Sequence, residues 1–234
     1  MEGSLVAYKV FTNGSVLQAS EINDNLMRQS VMVFSNAAAR SAAITVPLEG
    51  MLTWLEDTNQ YENYNGSAWV QTITPSGYSL IKTQAIGTSV TAVTVTGAFS
   101  STYDAYQIVV AGGVGSTSSA LKLQFGSTTA NYRWGLVYQI YTSGGTVSGT
   151  ASNSANGIDF VGSVTTNKVN AFITVTDPFA TRITSATATY LRADEGGTVT
   201  GLLNDNTSYT AFTLSTLGGS MTGGTVYVYG LRKA

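Results

Sequence analysis

The chain has 234 residues, of which 10% are charged, with a formal net charge of −2, no Cys and no His. The missing His removes Ser-His-Asp triads, HExxH zinc sites and imidazole acid–base work, and the missing Cys removes disulfides, thiolate metal ligands and thiol nucleophiles. The few charges also argue against a nucleic-acid partner: three basic and seven acidic residues precede Pro75 (3 − 7 = −4), and eight basic and six acidic follow from it (8 − 6 = +2), neither of which makes a basic stripe.

Gly, Ser and Thr are abundant while Val, Ile, Leu and aromatics remain plentiful, a composition of strands and short turns rather than of disorder. The opening MEGSLVAYKVF has no basic segment followed by a long apolar run, so no signal peptide is expected. No stretch of ~18 apolar residues occurs, so no membrane insertion is expected either. Val6 to Phe11 predicts a short strand closed by Asn13-Gly14. Ser20 is a candidate N-cap, with Glu21 and Asp24 in the first turn and Ile22, Leu26 and Met27 on one stripe of a short helix. Val31 to Phe34 has strand character, after which Ser35 or Asn36 caps a second short helix from Ala37 to Ala43.

Pro47 stops that segment. Gly50 to Glu56 predicts a strand, Asp57 to Asn59 a turn, and Gln60 to Tyr64 a return strand. Asn65-Gly66 then predicts a two-residue type I′ turn, with Ser67 to Val70 folding back as the third strand of a meander. At period two, Met51 and Leu55 point one way and Leu52 and Trp54 the other, so both faces ask for burial. A sheet this thin cannot cover both sides, and a second copy of the chain is the simplest cover. Met51, Leu52, Trp54, Leu55, Tyr61, Tyr64 and Trp69 are therefore the expected interchain contacts. Packing within one subunit is the alternative for Trp54, Tyr61, Tyr64 and Trp69.

The boundary falls in QTITPSGYSL, residues 71–80, where Pro75-Ser76-Gly77 interrupts both periodicities. This gives an attachment and oligomerisation region at 1–72, a linker at 73–77 and a second region at 78–234. The last reads wholly as β. Strands are predicted at Leu80 to Ala85, Ala92 to Thr96, Ala105 to Ala111, Ala120 to Gln124, Tyr132 to Tyr141, Gly157 to Val161, Val169 to Val175, Ala186 to Arg192, Ala211 to Ser215 and Thr225 to Tyr229. The fold class is mainly β, a small α+β segment followed by an antiparallel, jelly-roll-like sandwich.

Carboxylates are the remaining chemistry. A glycosidase needs two of them about 5 to 10 Å apart. Asp104, Asp159, Asp177, Asp194, Glu195 and Asp205 all sit in turn-like contexts, which reads as a non-enzyme. Asn204-Asp205-Asn206 lacks EF-hand spacing, and the Gly-rich run from Ala111 to Ser118 lacks the third glycine of a dinucleotide cradle, so no metal and no cofactor is expected. The Asn-x-Ser/Thr triplets at Asn13, Asn65 and Asn206 follow from composition. Tyr132, Trp134, Tyr138 and Tyr141 are a candidate ligand surface, because rings stack well on sugar faces. The alternative is that Tyr132, Trp134, Leu136, Tyr138 and Ile140 alternate onto one core face.

Pro47 with Gly50-Met51, the acidic turn Glu56-Asp57-Thr58-Asn59, and Tyr64-Asn65-Gly66-Ser67-Ala68-Trp69, preceded by the stretch from Leu26 to Phe34, resemble a module of bacteriophage tail fibres and related virion proteins over roughly residues 15–72. Trp54 stands where that module would carry a Tyr or other aromatic. The C-terminal run from Val226 to Lys233 is similar to the closing strand of phage fibre and head-fibre domains. The resemblance implies a virion structural protein made in the host cytoplasm, a homotrimeric short tail fibre or minor tail protein. Residues 1–72 would grip other virion proteins, and the sandwich would face a host-surface glycan. A head fibre or capsid decoration protein is the alternative, and a lectin-like binding module a further one.

Overall fold

The computed structural model describes residues 31–72 and 77–232, together with Gly14, Val16, Gln18 and Ala19. The strand expected over Val6 to Phe11, the helix after Ser20 and most of the linker lie outside the described residues. The chain divides into two compact units, Met1–Pro75 and Ser76–Ala234.

In the first unit, β1 (Met32–Phe34) leads into α1 (Ala37–Ala43), and then β2 (Leu52–Leu55), β3 (Gln60–Tyr64) and β4 (Trp69–Gln71) follow. Asn36 is the cap of α1, its Oδ1 accepting from Ala39 N at 2.8 Å, which satisfies one of the orphan donors of the first turn. The expected three-stranded meander is enlarged to four strands, because β1 pairs in parallel with β2. The turn after β3 also differs from expectation. Tyr64 pairs with Trp69, leaving a four-residue loop, and of Asn65 and Gly66 only Gly66 has a positive φ. Asn65 instead uses its side chain: Oδ1 accepts from Ser67 N at 3.0 Å and Ala68 N at 2.9 Å, building the turn without a left-handed Asn.

The second unit is a β-sandwich. It comprises β5 (Tyr78–Ala85), β6 (Ala92–Val95), β7 (Tyr103–Ala111), β8 (Val114–Gly115), β9 (Ser119–Phe125), β10 (Tyr132–Ile140), β11 (Thr146–Ala155), β12 (Ile158–Val164), β13 (Val169–Thr176), β14 (Thr184–Leu191), β15 (Glu195–Leu203), β16 (Phe212–Thr216), β17 (Met221–Thr222) and β18 (Thr225–Arg232). One layer runs β5-β18-β7-β13-β14-β15-β10-β11 and the other β12-β9-β16-β6, all antiparallel. They join at β13, whose first residues pair with β12 and whose last pair with β14. From that corner β12 crosses over β14, β15 and β10 as a packed layer.

Alternation along β14, buried at every second residue from Thr184 to Tyr190, shows one face to the core and one outward. The core holds Ile108, Leu121, Leu123, Ile158, Ile173 and Val228, none measurably exposed, and an aromatic group in which Phe99 lies 4.8 Å from Tyr106 and 5.6 Å from Phe212. Gly201 on β15 permits the layers to approach, since a Cβ there would stand 2.8 Å from the Ile158 side chain. The buried tyrosine hydroxyls are satisfied: Tyr106 donates to Ser100 O at 2.8 Å, Tyr132 accepts from Phe125 N at 2.7 Å, and Tyr190 donates to Glu195 Oε1 at 2.7 Å.

Candidate functional site

Register sorts the first unit's side chains. Met32, Thr53, Glu62 and Gln71 form one row, and Phe34, Leu55 and Gln60 a second on the same face, which also carries Tyr64 and Trp69. This face is covered within the protomer. Thr53 and Leu55 are buried, and Arg40 of α1, itself 5% exposed, pairs with Glu62 and lies 4.4 Å above the Trp69 ring. The expectation that both faces need a partner is thus corrected for this side: Leu55 belongs to the interior of its own chain, and Tyr64 meets Trp69, the ring beneath Arg40, at 5.5 Å with the planes tilted by 59°. Met51 precedes β2, and its Sδ accepts weakly from Leu48 N at 3.4 Å.

The opposite face carries Val33, Trp54 and Tyr61 in one row and Leu52, Asn63 and Val70 in the next. Val33 is 59% exposed, Tyr61 41% and Val70 36%, with Leu52 and Trp54 half-buried. Trp54 and Tyr61 meet edge to face at 4.7 Å. The face is apolar and open.

In the sandwich, the candidate ligand aromatics are divided. Tyr132 is wholly buried, and Trp134 and Tyr138 pack against the core as partly buried residues of the same β10 face. The core-face alternative therefore holds for these three, and their place on a ligand surface is corrected by the alternation of β10. Tyr141, in the 3-10 turn after β10, is 50% exposed and lies over Gly196. Trp134 is one end of an aromatic row, 5.4 Å from Phe160, which is 5.3 Å from Tyr190. Phe160 occupies a bulge between Ile158 and Gly162 and has φ +64°, a conformation unfavourable for a bulky side chain.

The carboxylates are engaged one by one. Asp177 pairs with Arg182 at 2.6 Å, Asp205 accepts from Tyr209 at 2.5 Å, and Arg192 is held by Glu195 at 3.2 Å and Asp194 at 3.7 Å. Burial pushes the Asp159 carboxyl above its usual range, an effect that Lys122, 3.6 Å away, opposes. Among the described residues no group of Asp and Glu is arranged to hold a metal ion, and no helix is long and apolar enough to cross a membrane.

A cleft among the described residues of the sandwich lies where the sequence pointed to nothing. It has a volume of about 540 Å³ and is walled by Ser118, the β12–β13 turn from Thr165 to Lys168 and the β14–β15 turn from Leu191 to Asp194. These segments are far apart in sequence and each reads alone as an ordinary turn.

No known family model matches the chain, and no curated protein is similar to it. Among solved structures, the VP2 subviral particle of infectious bursal disease virus aligns at 9% identity and a TM-score of 0.13, over 74% of this chain and 48% of that one. The chain thus spans about half the length of that protein, and a likeness this slight carries no argument about fold or function.

Proposed function

We propose that the chain is a non-enzymatic structural component of a bacteriophage virion, a short tail fibre or minor tail protein. In this reading it assembles as a homotrimer through its N-terminal unit and displays the sandwich toward host-surface glycans. The observation that carries the reading is the open apolar face of Val33, Leu52, Trp54, Tyr61 and Val70. A sheet of short strands with one face covered and the other apolar is satisfied by sister copies, and a three-fold arrangement closes three such faces on a shared axis. Weak contacts to a surface then gain from effective concentration.

The resemblance of residues 15–72 to the phage fibre module supports the same assignment. Size-exclusion chromatography with light scattering on the full chain should return about three chains per particle. A monomer at all concentrations would overturn the assembly. Disrupting particles and finding the protein with heads rather than tails would overturn the tail location.

A further inference from the structure

The cleft at the loop end of the sandwich has walls that are fixed before any ligand arrives. Thr165 closes the β12–β13 turn, its N donating to Lys168 O at 2.8 Å and its Oγ1 accepting from Lys168 N at 3.1 Å, while Gly115 N ties Thr165 O from the neighbouring segment at 2.7 Å. On the other wall Arg192 N donates to Glu195 O at 2.8 Å, and Ser163 Oγ donates to Leu191 O. Little backbone ordering is left for binding to impose. The volume of about 540 Å³ lies within the range of small-molecule sites, about 300–1,000 Å³.

The pairing of the charges points to the ligand. Arg192 is committed to Asp194, Glu195 and the Tyr190 hydroxyl, at 3.7, 3.2 and 3.1 Å. Lys168 forms no ion pair among the described residues and is exposed. Against the two carboxylates that engage Arg192, Lys168 brings the group to neutrality, and of the two cations in the lining it is the one without an ion pair among the described residues. Around it stand hydroxyls of Ser118 and Thr166 and the amide of Asn167, which can donate and accept, beside the apolar side chains of Leu191 and Ala193 and the Asp194 carboxylate. An apolar ligand would strand these groups, and no aromatic ring lines the cleft to stack a nucleobase.

We propose that this cleft binds a saccharide unit bearing one acidic group, with Lys168 taking the acid and Ser118, Thr166 and Asn167 the sugar hydroxyls. The biological setting of this site rests on reading the sandwich as the surface-facing unit, but the binding itself does not.

The test is saturation-transfer NMR on the full chain with methyl β-D-glucuronide, the methyl α-glycoside of N-acetylneuraminate and glucose 1-phosphate, with methyl β-D-glucoside as neutral control. We expect transfer to at least one acidic probe and none to the neutral one, and the carboxylated and phosphorylated arms separate the two sources of the acid. Lys168→Ala should weaken that binding about tenfold, Lys168→Arg should retain it, and salt near 1 M, where the screening length is about 3 Å, should suppress it. Absence of transfer to every acidic probe, or equal transfer to wild type and K168A, overturns the proposal. Asn167→Trp, which sets a bulky ring in the lining, is an independent check, and survival of binding in it would also overturn the site. Labelled protein that binds the probes yet fails to bind intact host bacteria sustains the cleft and sinks the host-surface reading instead.

Discussion

Trp54 and Tyr61 face each other across β2 and β3 with ring centroids 4.7 Å apart and planes at 62°, on the side of the N-terminal sheet that α1 leaves uncovered. An edge-to-face pair of this kind contributes about 0.5–1.5 kcal/mol beyond its burial. Its exposed rim, with Val33 and Val70, is free to bury more. Trp54→Lys should therefore separate assembly from folding: the particle falls from about three chains to one in light scattering, while the thermal transition of the sandwich is unchanged. A trimer that persists in W54K would place the interface elsewhere.

The covered side makes a different prediction. Arg40 is buried, paired with Glu62 and laid on Trp69, and its Nε has no hydrogen-bond partner. Breaking a buried pair costs about 3–5 kcal/mol because the survivor is left charged and unpaired. Glu62→Ala should thus destabilise the N-terminal unit by about 3 kcal/mol, read as lost amide protection in β2 and β3. Replacing both partners with Leu should recover much of that loss. Equal protection in wild type and E62A would show that Arg40 finds another partner.

All ten strands expected after Pro75 are found, most of them presenting apolar residues at period two to the core; the edge strand β5 instead leaves Tyr78 and Leu80 exposed. Four of the fourteen strands there were not legible: the two-residue β8 and β17, and the longer β11 and β15. β11, Thr146–Ala155, is an edge strand whose core-facing positions opposite Tyr138, Leu136 and Trp134 are Ser148, Thr150 and Ser152, so it carries no apolar alternation to read. β15 begins Glu195-Gly196-Gly197, which reads as a turn. The glycines are there because a Cβ at Gly197 would stand 2.6 Å from the Tyr138 Cα, and one at Gly196 would meet the Tyr141 hydroxyl. Similarly, the period-two reading separated Leu52 and Trp54 from Leu55 correctly, but nothing local announced that Arg40 would cover Leu55's side. The cleft was invisible for a related reason: Ser118, Lys168 and Arg192 come together only when β12 crosses the sheet.

Phe160 has a backbone that favours glycine and a ring that packs between Trp134 and Tyr190. Removing the ring to Ala costs about 3–5 kcal/mol in a core setting. Glycine ordinarily costs about 0.5–1 kcal/mol more than alanine, but a left-handed φ reverses that order, since alanine keeps the Cβ strain. We expect Phe160→Gly to be less destabilised than Phe160→Ala in denaturant unfolding, by about 1 kcal/mol. The ordinary order would mean that the bulge relaxes when the ring is gone.

Tyr190 supplies the pH dependence. Burial pushes its hydroxyl up to about 12, with Arg192 opposing and Glu195 reinforcing the shift. Burial also raises Tyr132, Tyr106 and Tyr209. The folded state therefore holds these protons more tightly than the unfolded chain does. Each contribution is complete below the ordinary tyrosine value near 10 and is lost as pH rises through the folded value. Stability should fall from about pH 10 upward. In a spectrophotometric titration, the difference between wild type and Tyr190→Phe should appear near pH 12, together with loss of near-ultraviolet dichroism. A Tyr190 ionisation completed near pH 10 in a still-folded protein would show that its hydroxyl is not withdrawn from water in solution.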